Sequence, residues 1–151
     1  MKVRLGVVAM ALVIATGASP LPERTPAQIT KQERDVLDMV RDRLARFMHT
    51  WRPGWGPCRD PQMQEAADVA TVTLRADTST AFMAEFAGSA LDVADTYVRE
   101  GCLADARALY RAVADRLGGP GPTFTPLPAH AALYNRAVNG LDYVGGLSTK
   151  Q

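Results

Sequence analysis

Proline and glycine divide this chain more decisively than any other feature. Residues 51–60 hold two prolines and two glycines, and residues 118–128 hold four prolines and three glycines. Proline has no backbone N–H to donate and glycine favours turns, so neither stretch continues a regular element. Between and around these breaks, apolar residues recur every three to four positions, and no stretch alternates strictly between apolar and polar. The expectation is an all-α chain. About five helices would pack as hairpins in a bundle or a short repeat-like array.

The helices can be placed by their ends and their stripes. Thr25, Pro26 and Gln28 read as a cap, a first helical residue and a capping-box partner, which opens the first helix. Its stripe is Ile29, Val36, Leu37, Val40, Leu44, Phe47, Met48 and Trp51. The opposite face is mixed in charge, with Asp42 and Arg46 four apart in the favourable orientation. A second helix starts with Asp60 as cap and Pro61 at its first position and runs to about Arg75, with Met63, Ala66, Ala67, Ala70 and Leu74 inward. Asp77, Thr78 and Ser79 form a joint. The third helix covers about 79–100, with Phe82, Phe86, Ala90, Val93, Ala94 and Tyr97 on one face and Gly101 at its end. A fourth spans about 103–117. A fifth runs from about Pro128 to Val144, closed by Gly145 and Gly146, with residues 147–151 as a polar tail.

The N-terminus bears on the compartment. Lys2 and Arg4 precede an apolar run over residues 5–15, followed by Thr16, Gly17 and Ala18. That layout is a secretory signal peptide over residues 1–18, with cleavage expected after Ala18 or after Gly17. The run of 11 residues is too short for a bilayer, which takes about 20. An extended leader over residues 19–24 would lead into a single helical domain at 25–146. Export to a periplasm or to the outside follows, with no stable membrane insertion after cleavage.

Removing residues 1–18 takes away Lys2 and Arg4 and no acid, which leaves 15 basic against 16 acidic residues. The formal charge moves from +1 to −1. Such a chain has no electrostatic reason to seek nucleic acid. About 130 residues suit one domain with a real core. Cys58 and Cys102 are the two cysteines. In an exported chain the default is a disulfide between them, the alternative being two independent buried thiols. A bridge would close a loop of over forty residues, worth about 4 kcal/mol in the chain-entropy description.

Residues 87–120 resemble a single tetratricopeptide repeat. Ala90, Val93, Ala94 and Tyr97 fall on the first-helix positions, Gly101 on the turn, and Ala106, Tyr110 and Val113 on the second helix. Gly118, Gly119 and Pro120 form the terminating turn. The pattern departs from the family where it places Val113 at a small-residue position, and no second copy follows 34 residues on. Helix five, with Leu133, Tyr134, Ala137 and Leu141, suits the first helix of another degenerate unit. The resemblance implies a helical scaffold with a concave surface for a peptide or protein, and on this register the surface includes Asp95 and Arg99. A generic helical hairpin, which also wants alanine at crossings and tyrosine in grooves, explains the same residues.

Chemistry is sparse. The Trp51–Trp55 loop, with Arg52 beside it, offers two tryptophans in five residues, and Trp55 between two glycines can stand clear of the core to grip a partner. In the competing reading one tryptophan ends the apolar stripe of the first helix and the other lids the core beside the disulfide. His49 and His130 match no metal spacing, and no nucleophile elbow, zinc-protease or P-loop motif is present. No cofactor, metal or catalytic residue is expected. The expected function is an exported protein-protein interaction or scaffold module that uses Trp55, Arg52, Asp95 and Arg99. The alternatives are a small-ligand-binding helical bundle and a periplasmic hydrolase with an unrecognised site.

Overall fold

A reciprocal cap starts the first helix. The computed structural model describes residues 28–50, 57–119 and 125–149. Among these, five α-helices form the fold: α1 (Lys31–Thr50), α2 (Pro61–Arg75), α3 (Thr80–Arg99), α4 (Leu103–Gly118) and α5 (Pro128–Ser148). A single 3-10 turn, Pro57–Arg59, precedes α2. The chain is all-α, as its periodicity requires. The signal peptide, the leader and the Thr25 cap lie outside the described residues. Residues 28–30 are not helical, so the first helix opens later than the Thr25 reading places it. Thr30 Oγ1 accepts from the Glu33 N–H at 3.2 Å, and the Glu33 carboxylate accepts from the Thr30 N–H at 2.8 Å. Thr30 and Glu33 form the capping box, and a carboxylate is a stronger acceptor for the positive end of a helix than the amide of Gln28.

Glu33 also reaches another helix. Its carboxylate accepts from the Ser79 N–H at 3.1 Å and faces the Ser79 hydroxyl at 3.4 Å. Ser79 in turn caps α3 through the Phe82 N–H at 3.2 Å. One buried side chain therefore fastens the starts of α1 and α3 side by side. Further along, Arg41 donates to Ser89 Oγ at 3.1 Å, so the two helices run parallel.

Asp60 caps α2 as its position before Pro61 predicts, accepting from the N–H groups of Gln62 and Met63. Met63, Ala66, Ala70 and Leu74 are buried on one stripe. Because α2 ends next to Ser79 at the start of α1, it returns antiparallel. The α3 face from Phe82 to Tyr97 is fully internal, with Phe82 and Phe86 stacked at 5.1 Å between ring centres. Helix α3 ends in a Schellman turn. Gly101 takes φ +81°, and the Cys102 N–H bonds back to the Tyr97 carbonyl at 2.8 Å. That turn presents Cys102 to Cys58, and the two sulfurs are bonded with Cα atoms 5.5 Å apart. A disulfide fits an oxidising compartment.

Helices α4 and α5 run antiparallel, each resting a tyrosine on a glycine of the other. Tyr110 of α4 lies on Gly140, and Tyr134 of α5 lies on Gly118. The pairing extends to Ser148, whose Oγ accepts from Arg107 of α4 at 2.8 Å. That contact and the burial of Val144 carry α5 through Gly145 and Gly146 to Ser148, beyond the closure expected there. A mid-helix glycine costs about 1 kcal/mol, which tertiary contacts outweigh. Helix α5 runs parallel to α3: His130 sits near Thr80, Leu133 near Gly88 and Arg136 near Asp92 and Asp95. The result is two layers. Helices α1, α3 and α5 lie parallel in one, and the antiparallel α2 and α4 form the other. No helix among the described residues is long and apolar enough to cross a membrane.

Candidate functional groove across the parallel helices

The layer of three parallel helices carries an open groove of about 620 Å³. Leu44 and Met48 come from α1, Val98 and Arg99 from α3, and Tyr143 from α5. Their placement follows from helix spacing: Leu44 and Met48 are one turn apart at the end of α1, and Asp95 and Arg99 one turn apart at the end of α3. Met48 was expected on the buried stripe. It is 47% exposed, while Leu37, Val40 and Phe47 are fully internal. The last turn of α1 still buries Phe47, and Met48 beside it lines the groove instead. Tyr143 is 59% exposed on the far rim.

The groove wall is built on a charged cluster. Arg136 of α5 donates to Asp92 at 2.8 Å and to Asp95 at 2.5 Å. Asp95 also accepts from the hydroxyl of Tyr110 on α4. Three helices are thereby joined through one carboxylate. Burial, then the hydrogen bond from Tyr110 to Asp95 and the Asp95 charge, push the Tyr110 hydroxyl well above its ordinary range, with Arg136 pulling weakly the other way. Burial works against the Arg136 charge, but its bonds to Asp95 and Asp92 more than offset that and hold the guanidinium above its ordinary value. Tyr110 therefore stays protonated and Arg136 charged at any physiological pH. These groups hold their protons firmly, so the cluster suits positioning and binding rather than proton transfer.

Arg99 is tethered by donating to Thr96 Oγ1 at 2.9 Å, and Thr96 donates to the Asp92 carbonyl at 2.8 Å. Of the residues singled out by sequence, Asp95 and Arg99 meet in this groove. Trp55 and Arg52 lie outside the described residues, as does Trp51. Cys58 and Cys102 form the bridge. Sequence reasoning missed Asp92, Met48 and Tyr143 as groove residues, and Arg136 as the partner that holds Asp92 and Asp95. Asp92 stands three before Asp95 and carries a one-turn signal. Arg136 is 41 residues from Asp95 and carries none. Tyr143 lies off the α5 stripe, and an aromatic ring off the stripe is the usable hint.

Cys58, Cys102 and Asp105 are the one close group of metal-ligating types among the described residues, and its two sulfurs are bonded to each other. His130 is buried with Nε2 at 3.2 Å from the Thr80 carbonyl, and His49 is exposed. Compared with known protein families, curated proteins and solved structures, the chain shows no significant match.

Proposed function

We propose that this chain is an exported protein-protein interaction module that grips a partner segment in the groove across α1, α3 and α5. One observation carries the reading. Met48 and Tyr143, two of the large apolar side chains left exposed, face the same groove from helices on either side of α3. Exposed aromatic and methionine side chains around a groove are the usual anchors of recognition. The Asp92–Arg136–Asp95 cluster fixes the wall, so little order has to be gained when a partner docks. Arg99 and the second oxygen of Asp92 supply polar contacts at the rim.

The tetratricopeptide resemblance of residues 87–120 supports the same reading. Alternate helices run parallel, each pair returns through an antiparallel partner, and the groove contains Asp95 and Arg99, the two residues that the resemblance assigns to a binding surface. Export rests on the signal-peptide pattern of residues 1–18, and the Cys58–Cys102 bridge is consistent with it. The openness of the groove favours a macromolecular segment over an enclosed small ligand.

A photo-crosslinking amino acid at position 143 tests the proposal in the native host. A defined adduct is expected there, and it should weaken in the Met48→Ala background. The control is position 72, where Val72 is 70% exposed on α2 and outside the groove. Identical adducts from positions 143 and 72, or none from 143, would remove the groove from consideration.

A further inference from the structure

The second layer has a groove of its own. Helices α2 and α4 border an open space of about 500 Å³. Arg75 of α2 and Arg111 and Arg116 of α4 line it, over Leu74 and Ala112, and Asp115 is the one acid in its lining. Helix spacing puts them there. Leu74 and Arg75 are neighbours at the end of α2. On α4, Arg111 and Asp115 stand one turn apart, as do Ala112 and Arg116.

Several arginines of this chain are paired with acids, and others, Arg99 and Arg107 among them, are held by hydroxyls alone. Arg34 and Arg41 share Glu85, Arg43 pairs with Glu65, Arg46 with Asp42, and Arg136 with two aspartates. Arg75 and Arg111 have no ion-pair partner among the described residues. Arg116 donates to Thr78 Oγ1 at 3.4 Å, which holds the guanidinium in place without neutralising it. Three arginines against one aspartate leave the groove cationic on a chain whose overall charge is close to zero.

We infer that this groove binds a small organic molecule carrying two oxyanions on a short hydrocarbon. The guanidinium fork matches carboxylate and phosphate geometry, and it takes either in paired hydrogen bonds. Arginines arriving from two different helices provide two anion contacts. Leu74 and Ala112 line the same groove and give it hydrocarbon against which the spacer between the two anions can rest. The volume is that of a small-molecule site. No residue of this site belongs to the groove across α1, α3 and α5, so the two assignments stand or fall separately.

Calorimetric titration of the full chain at low ionic strength tests the inference, with glutarate, butyrate and inorganic pyrophosphate as probes. Glutarate should bind saturably at one site, about tenfold or more tighter than butyrate, because a second charge-assisted contact is worth at least that factor. Arg75→Gln and Arg111→Gln keep most of the aliphatic stem and sit at the surface, so helical circular dichroism should not change. Each should weaken glutarate about tenfold, and Asp115→Asn should tighten it. The inference is overturned by absence of saturable glutarate binding, by equal affinity for butyrate, by binding that survives both arginine substitutions, or by binding of pyrophosphate alone.

Discussion

The ring of Tyr110 lies so close to Gly140 that a β-carbon there would stand 2.5 Å from Cε1 and 2.6 Å from both Cδ1 and Cζ. The ring cannot yield, because Tyr110 is buried and its hydroxyl is fastened to Asp95. Gly140→Ala should therefore destabilise the fold by about 1–3 kcal/mol, although alanine is the better helix former by about 1 kcal/mol. In a Tyr110→Ala background the clash is gone and the same substitution should become stabilising. Urea denaturation of the four chains of this double-mutant cycle reads the change of sign. Additive effects would show that the two residues do not touch.

Glu33 fastens two helix starts at once, so its loss should exceed that of an ordinary cap. Glu33→Ala leaves the N–H groups of Thr30 and Ser79 without their acceptor. A cost of about 2–4 kcal/mol is expected. Glu33→Gln keeps one acceptor oxygen and should cost less. Amide hydrogen exchange at Ser79 and Thr30 should accelerate in the alanine variant, and unchanged exchange at Ser79 would show that the link between α1 and α3 lies elsewhere.

The Cys58–Cys102 bridge spans 44 residues, so by the chain-entropy description its removal costs about 4 kcal/mol. The melting temperature should fall on reduction. A Cys58→Ala/Cys102→Ala double variant should match the reduced protein and be insensitive to reductant. Equal melts of the oxidised and reduced protein would contradict this.

Two buried tyrosines predict the alkaline limb of stability. Burial first, and then the negative charges of Asp105, Asp68 and Asp60, push the Tyr97 hydroxyl from 10.0 up to about 12. Tyr110 is raised as well, by burial and by Asp95. Both groups thus hold protons in the folded chain that the unfolded chain gives up as pH passes about 10. Their contribution is fully present below that pH and is lost as pH climbs through the folded values. Urea midpoints should fall from about pH 10 upward, and Tyr97→Phe should flatten that limb. An identical limb in the phenylalanine variant would assign the loss to other groups.

What the sequence determines here is local. The Asp60–Pro61 start of α2, the Ser79 joint, the Gly101 turn and the buried stripe of α3 follow from caps, φ preferences and a spacing of three to four residues. All of these act within one or two turns of chain. The start of α1 shows the boundary of that reach. Thr30 and Glu33 cap α1 within one turn of chain, but the same carboxylate also accepts from Ser79, 46 residues away. The end of α5 repeats the lesson, since Arg107 of α4 holds Ser148 past two glycines that read as a stop. The grooves belong wholly to the tertiary structure. Arg136 meets Asp92 and Asp95, Met48 and Tyr143 come to line one groove, and Arg75 joins Arg111 in another, only after helices distant in sequence have settled side by side. Which residues share a helix face is set by the 3.6-residue turn, but which faces meet is set by how five stripes bury together, and no local pattern encodes that register.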